Sequence, residues 1–266
     1  MTYKGDIAAG ERFRFGDNWS SFLRVINDSR IEHAKQSLCE MLDVTSLDGK
    51  TFLDIGSGSG LFSLAARSLG ATVYSFDYDQ RSVECTQELK DRFYPNDNNW
   101  VVDEGSVLDS NYLCKYNDID IIYSWGVLHH TGEMWVALKN VSELRVKNGG
   151  KLFIALYNNQ GWVSSYWACV KKTYNKNILG RYCMIAIHSP YLFVLRYLIR
   201  LFSGRLNIER GMSMWRDMID WLGGYPFEVV KPEEVFDFFR LQDYQLLKLK
   251  TVGCRMGCNE FVFEKN

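Results

Sequence analysis

The stretch from Thr51 to Phe62 constrains the fold more than any other part of the sequence, because an apolar run breaks abruptly into glycines and small hydroxyl residues. Gly56, Gly58 and Gly60 alternate with serines before helical periodicity resumes. Glycine permits positive φ and a close approach of the backbone to a ligand, and the N–H groups that begin a helix are free donors. The stretch therefore predicts a strand, a tight loop and a helix that together bind a nucleotide-like ligand.

A second strand, predicted from Leu69 to Asp77, supports this interpretation. It alternates apolar and polar residues and ends in an acid about 20 residues after the loop, the usual distance for a residue that binds ribose hydroxyls. In this context we expect Asp77 to bind a ribose rather than to be a solvated acid at a strand end. For Asp54, which precedes the loop, a ligand role and a structural role both stay open.

These residues resemble the first motif of the class I S-adenosylmethionine-dependent methyltransferases, D-x-G-x-G-x-G, through Asp54, Gly56, Gly58 and Gly60. A nicotinamide site usually reads G-x-G-x-x-G, and the third glycine here comes one position too early for it. The resemblance implies S-adenosylmethionine as the cofactor and S-adenosylhomocysteine as the product. The cofactor-binding residues that it implies are Asp54, Gly56, Ser57, Gly58, Gly60, Asp77, Tyr78, Ser106, Val107 and Trp125.

Length, charge and cysteine content limit the classes of protein to which this chain can belong. The 266 residues, of which 47% are hydrophobic, suffice for one α/β domain with an insertion, or at most two small domains. A formal net charge of -1 offers no basic field for a nucleic-acid partner. Seven cysteines without a C-x-x-C pair indicate neither a disulfide framework nor a zinc site, so we predict no metal. The first residues lack the apolar run of a signal peptide, and we expect a cytoplasmic protein.

The predicted fold is a doubly wound α/β fold with a mostly parallel seven-stranded sheet, an antiparallel last strand, N-terminal helices and a helical insertion after strand five. Residues 1–17 are expected to be irregular, and the stretch from Trp19 to Leu42 predicts two helices broken near Asn27. The predicted units are a lead-in with cap helices at 1–50, a Rossmann-like cofactor domain at 51–157 and 231–266, and a substrate lid at 158–230.

The fourth predicted strand, Asp120 to Trp125, is an apolar run typical of a strand buried on both faces. Ligands lie beyond the carboxyl ends of such strands, so His129 and His130 should face the reactive end of the cofactor. Histidine can take the proton of a hydroxyl acceptor near neutral pH, although a structural role for the pair is equally compatible with the sequence. His129 is the first choice as base, because some O-methyltransferases that resemble this chain carry a histidine there, and His130 is the second.

A helix from Glu133 to Val146 is predicted next, ending at Asn148 to Gly150, followed by a fifth strand from Lys151 to Tyr157. The following seventy or so residues exceed the short link that the resemblance requires, and they are rich in tryptophan and arginine. That mixture suits a clamp for an anionic group of a small-molecule substrate, with ordinary packing as the alternative for each residue. The predicted substrate-binding residues are Trp19, Tyr157, Asn158, Arg210, Trp215 and Trp221.

Within the lid, the segment from Tyr182 to Phe202 is strongly apolar, but His188, Pro190, Arg196 and Arg200 interrupt it and make a transmembrane span improbable. Its second half predicts a basic amphipathic helix. Such a helix could lie on a membrane surface, as in a quinone or isoprenoid O-methylase, or pack on the core or on a second copy in a homodimer. Packing on protein is the favoured alternative.

The sequence thus predicts methyl transfer from S-adenosylmethionine to a small molecule, with oxygen as the favoured acceptor atom. A non-catalytic cofactor-binding protein and a nicotinamide oxidoreductase are the rival classes. In calorimetric titration we expect micromolar binding of S-adenosylhomocysteine and none of the nicotinamide dinucleotide, because of the early third glycine. Binding of the dinucleotide alone would overturn the interpretation from Asp54 onward.

Overall fold

The computed structural model describes residues 3–144, 146–195, 197 and 214–266. Seven strands form one sheet in the order β3-β2-β1-β4-β5-β7-β6. The strands are β1 Thr51–Ile55, β2 Thr72–Asp77, β3 Trp100–Glu104, β4 Ile119–Trp125, β5 Val146–Tyr157, β6 Tyr244–Lys250 and β7 Cys258–Lys265. The β7 strand runs antiparallel to both of its neighbours, and the pairs from β3 to β5 are parallel. The predicted fold class is confirmed.

Helices cover both faces of this sheet and build the insertion. In chain order they are α1 Tyr3–Ala8, α2 Phe15–Phe22, α3 Asp28–Leu42, α4 Leu61–Ser68, α5 Gln80–Phe93, α6 Ser110–Leu113, α7 Met134–Ser142, α8 Trp162–Lys176, α9 Ile178–Ser189, α10 Met214–Gly223 and α11 Pro232–Arg240. Single 3-10 turns lie at Leu23–Val25 and Leu128–His130, and a π-helical turn at Pro190–Leu195 continues α9.

Successive side chains of the central strands point to opposite faces of the sheet, so the core consists of two layers. In β1, Leu53 packs into the cluster on one face of the sheet and Phe52 into the cluster on the other, and both side chains are fully buried. All residues of β4 except the last are buried. A strand covered on both faces needs apolar side chains at successive positions, which is the pattern that the sequence shows there.

The N-terminal region corrects one expectation. Residues 1–17 were expected to be irregular, whereas α1 and the start of α2 lie within them. The predicted break near Asn27 is confirmed, because the Asn27 side chain accepts a hydrogen bond of 3.1 Å from the N–H of Arg30 and begins α3 as its N-cap.

The boundary between α7 and β5 was predicted wrongly. The helix ends at Ser142, and Val146 already pairs with Ile119 of β4. The register between these strands shifts before Lys151, so the residues around Gly149 form an irregularity in the strand rather than a helix stop. Pairing with β4 outweighs the local helix-ending signal of the two glycines.

The insertion has a core of its own. Trp167, Tyr174 and Leu222 pack there with Phe13 from the N-terminal region. Its two ends meet at the sheet, where the N–H of Val230 donates to the Tyr157 carbonyl at 3.0 Å. No helix within the described residues is both long and apolar enough to cross a membrane.

The fully buried Leu38 of α3 tests the packing of this helix on the sheet. Replacing it with alanine leaves a cavity, so Leu38→Ala should lower the free energy of unfolding by about 3 kcal/mol in urea denaturation. Gln36→Ala, on the exposed side of the same helix, is the matched control and should change it by less than about 0.5 kcal/mol. Equal effects of the two substitutions would contradict the packing described here.

Candidate active site

Hydrogen bonds hold the glycine loop against the end of β2. The N–H groups of Gly56 and Ser57 donate to the carbonyl of Phe76 at 2.8 and 3.1 Å. Gly58 has φ 56°, and a Cβ added there would lie 3.1 Å from the ring of Trp19. Glycine adopts this backbone without strain and leaves room for the Trp19 ring, which a side chain at this position would crowd.

Asp77 lies beside the loop at the carboxyl end of β2. Its carboxylate accepts hydrogen bonds from the N–H of Gly58 and the N–H of Asp79, both at 2.9 Å. Burial raises the pKa of Asp77 to about 6, although these two donors favour the ionised form. The carboxylate is thus fixed in position on the wall of a cavity, where it can accept hydrogen bonds from ligand hydroxyls.

Asp54 is buried beneath the same loop. It accepts a hydrogen bond of 2.5 Å from the hydroxyl of Ser63, which in turn lies 2.7 Å from the hydroxyl of Ser75. Burial raises the pKa of Asp54 to about 7. This network joins β1 to α4 and β2, and it supports a structural role for Asp54 in addition to its place on the cavity wall.

A cavity of about 2320 Å³ opens at the carboxyl edge of the sheet. It is bounded by the last residues of β1, β2 and β4, by the loop after β3, and by α2 and the insertion. The predicted site residues that line it are Trp19, Asp54, Gly56, Ser57, Gly58, Asp77, Tyr78, Ser106, Val107, Trp125, His130, Tyr157 and Trp221. The glycine loop, the strand-end acid and the adjoining wall fit an adenosyl cofactor.

Gly60 does not line the cavity; it begins α4 and packs against α5, where an added Cβ would lie 2.9 Å from the Cα of Thr86. Asn158 also lies off the cavity, since its side-chain amide donates to the carbonyl of Gly253 at 2.9 Å. Trp215 is half exposed on α10 and packs against Phe193. Arg210 lies outside the described residues.

The two histidines occupy different environments on one 3-10 turn. His130 is on the cavity wall, and its Nδ1 donates to the carbonyl of Pro226 at 2.6 Å, which leaves Nε2 as the acceptor. Burial, together with the positive charges of Lys171 and Arg12, lowers the pKa of His130 to about 3, although the hydrogen bond to Pro226 acts in the opposite direction. His129 does not line the cavity; its Nδ1 accepts the N–H of Tyr157 at 3.3 Å, and burial holds its pKa well below the usual value.

Sequence reasoning missed a polar cluster beside His130. Asp220 of α10 lines the cavity and accepts a hydrogen bond from the side-chain amide of Asn18 on α2. The ammonium of the fully buried Lys171 donates to the carbonyl of Trp221 and lies 4.3 Å from the centroid of its ring. Burial lowers the pKa of Lys171 to about 7 and raises that of Asp220 to about 7.

One signal for this cluster was present in the sequence. Lys171 shares a helical face with Trp167 and Tyr174, so its stem had to pass through apolar surroundings. Nothing in the sequence connects Asn18 with Asp220. Within the described part of the chain, no group of three or more His, Cys, Asp or Glu residues is arranged to hold a metal ion.

The sheet order, the glycine loop and the acid at the end of β2 define a class I S-adenosylmethionine-dependent methyltransferase. Residues 30–205, about two thirds of the chain, match the family described as "Methyltransferase domain". The chain belongs to this family, and S-adenosylmethionine is its cofactor.

Curated relatives match only parts of the chain. The ribosomal protein L11 methyltransferase of Helicobacter hepaticus is 42% identical over 59 residues, which are 21% of this chain and 19% of the relative. The ubiquinone biosynthesis O-methyltransferase of Coxiella burnetii is 28% identical over 144 residues, 51% of this chain and 53% of the relative. The matches thus span a fifth to about half of the relatives' length.

Solved structures agree in fold across nearly the whole chain. Magnesium protoporphyrin IX methyltransferase from Synechocystis PCC 6803, with bound S-adenosylhomocysteine, has a TM-score of 0.55 at 11% identity and covers 94% of both chains. A methyltransferase from Aquifex aeolicus has a TM-score of 0.53 at 14% identity and covers 93% of this chain and 98% of its own. At these identities the likeness shows the fold alone.

Asp77→Asn should weaken S-adenosylhomocysteine binding at least tenfold in calorimetric titration, because one charged acceptor for ligand hydroxyls is lost. In the unchanged chain, affinity should fall as the pH drops through about 6, where Asp77 takes up a proton, and the Asp77→Asn chain should lack this dependence. Glu104→Gln, at the exposed end of the paired strand, is the control and should keep full affinity. Retained affinity in Asp77→Asn would contradict the assignment.

Proposed function

We propose that the chain transfers the methyl group of S-adenosylmethionine to a hydroxyl oxygen of a small molecule bound in the cavity. The observation that carries the proposal is His130, a residue of the cavity wall whose Nδ1 donates to the Pro226 carbonyl, so that Nε2 is the acceptor atom of its ring. The curated relative from Coxiella burnetii, an O-methyltransferase by name, supports oxygen as the acceptor atom.

The cofactor supplies an electrophilic methyl group on a sulfonium, and transfer requires an acceptor oxygen in line with it. His130 takes the proton that the hydroxyl loses as the new bond forms. Because its pKa is lowered to about 3, the ring is neutral at physiological pH and ready to accept that proton. The low pKa also makes it a weak base, which suits an acidic hydroxyl such as a phenol better than an aliphatic alcohol.

Aromatic side chains pack around His130. The centroid of the Phe15 ring lies 4.9 Å from the centroid of the His130 ring, and the centroid of the Tyr157 ring lies 5.4 Å from the same point. Trp221 packs edge-on against Tyr157. In this setting Trp19, Tyr157 and Trp221 are the proposed contacts for an apolar acceptor body, since all three line the cavity.

His129 has a supporting role in this proposal, although the sequence favoured it as the base. The centroid of its ring lies 4.0 Å from the ring centroid of Tyr157 and 4.5 Å from the ring centroid of His130. Through the hydrogen bond from the Tyr157 N–H it joins the end of β5 to the turn that carries His130. An anionic group on the acceptor stays a prediction, since Arg210 lies outside the described residues.

His130→Ala should lower kcat by about 10²- to 10⁴-fold, because the proton acceptor is removed, while S-adenosylhomocysteine binding is kept. The matched control is His129→Asn, whose side-chain oxygen can still accept the Tyr157 N–H. The kcat of this variant should stay within a few-fold of the value for the unchanged chain. The measurement is S-adenosylhomocysteine release with phenols, catechols and hydroxy acids as acceptors.

The outcomes separate the parts of the proposal. A larger loss in His129→Asn than in His130→Ala would assign the base to His129. Turnover that survives both substitutions would remove histidine from the chemistry. Cofactor binding without methyl transfer to any hydroxyl of the panel would overturn oxygen as the acceptor and favour a non-catalytic cofactor-binding protein.

A further inference from the structure

One side of α9 and of the π-helical turn that follows it is apolar and exposed. We call it the outer lid face; its residues are Leu179, Tyr182, Cys183, Ala186, Ile187, Pro190, Tyr191 and Val194. Leu179 is 71% exposed, Tyr182 64%, Ile187 63% and Tyr191 59%. These eight positions recur at helical spacing and include no charged side chain.

The opposite side of the same segment is already packed. Met184, Ile185, His188 and Leu192 face the core of the insertion, and the His188 ring bonds to the hydroxyl of Tyr166 at 2.7 Å. The outer lid face is therefore an additional apolar surface. Most of the basic second half of the Tyr182 to Phe202 segment, for which packing on the core or on a second copy was favoured, lies outside the described residues. At 1.5 Å per residue the outer lid face extends for roughly 24 Å, and a continuous apolar surface of this kind marks an interaction site.

The segment of sequence that carries this face has charges of one sign only. From Trp162 to Ile208 the sequence contains seven lysines and arginines and no aspartate or glutamate. The chain as a whole carries a formal net charge of -1, so the rest of it is acidic. Lys172, Lys176 and Arg181 lie exposed within the described part of this segment.

We propose that the outer lid face docks on an anionic lipid surface. Apolar side chains on one side of a helix, with tyrosines among them and with cations and no acid in the sequence of the same segment, fit the headgroup boundary of such a bilayer. Asp217 of α10 is an exposed acid on a helix that packs against this segment, so it reduces the positive charge there. A second copy of the chain fits less well, because a twofold dimer through this face would bring two positive segments together. A protein partner would need an equally long groove that is both apolar and acidic.

The docking surface adjoins the cavity. Tyr191 belongs to the outer lid face and also lines the cavity. Lys172 and Lys176, which are not part of that face, line the cavity as well. Docking would hold this wall at the lipid headgroups, where an amphiphilic acceptor could enter. The lipid contact itself does not depend on the proposed methyl transfer, so either proposal can fail without the other.

Co-sedimentation with vesicles tests the proposal. We expect the full chain to bind vesicles of phosphatidylcholine with phosphatidylglycerol and not vesicles of phosphatidylcholine alone, and to be released by added salt. The double substitution Leu179→Glu and Ile187→Glu should reduce binding about tenfold or more, because it removes apolar contacts and adds repulsion. The control pair Leu241→Glu and Leu247→Glu changes exposed leucines elsewhere and should bind like the unchanged chain.

Thermal melting and S-adenosylhomocysteine affinity of both double variants should match the unchanged chain, because all four leucine and isoleucine side chains are exposed. Absence of binding to the anionic vesicles, equal binding to both kinds of vesicle, or equal loss in the two double variants would each overturn the proposal. A dimer in light scattering that only Leu179→Glu with Ile187→Glu dissociates, without vesicle binding, would assign the face to a second copy.

Discussion

The hydrogen bonds between the glycine loop and the end of β2 position the rest of the site. They hold Gly56 and Ser57 on the carbonyl of Phe76 and Gly58 on the carboxylate of Asp77. The sheet order reverses beside β1, so the crevice for a ligand opens directly above this loop. If the loop moved, the cavity wall, α4 and the contact with α2 would all move with it.

The sequence was sufficient for features that depend on local pattern. Periodicity predicted the central strands, because a strand buried on both faces must be apolar at successive positions. The break at Asn27 was also predictable, since the side chain caps the next helix within three residues. The boundary between α7 and β5 was not, because pairing of Val146 with Ile119 overrode a strong local signal at Gly149.

Much of the site depends on contacts between distant parts of the chain. The carbonyl of Pro226 fixes the His130 tautomer, and the two residues are 96 positions apart. Asn18 and Asp220 are 202 positions apart. The glycine motif located one wall of the cavity, since it consists of a few adjacent residues. Which histidine reaches the cavity depends instead on the orientation of a single 3-10 turn.

The junction of the insertion with the sheet has an evolutionary consequence. Its two ends are neighbours, since Val230 donates to Tyr157 at 3.0 Å and the N–H of Asn159 donates back to Val230 at 3.1 Å. A segment that leaves and re-enters a fold at one point can be lengthened, shortened or exchanged with little disturbance of its host. Selection can thus remodel this segment while the sheet and the glycine loop, which belong to the methyl-donor fold, stay constant.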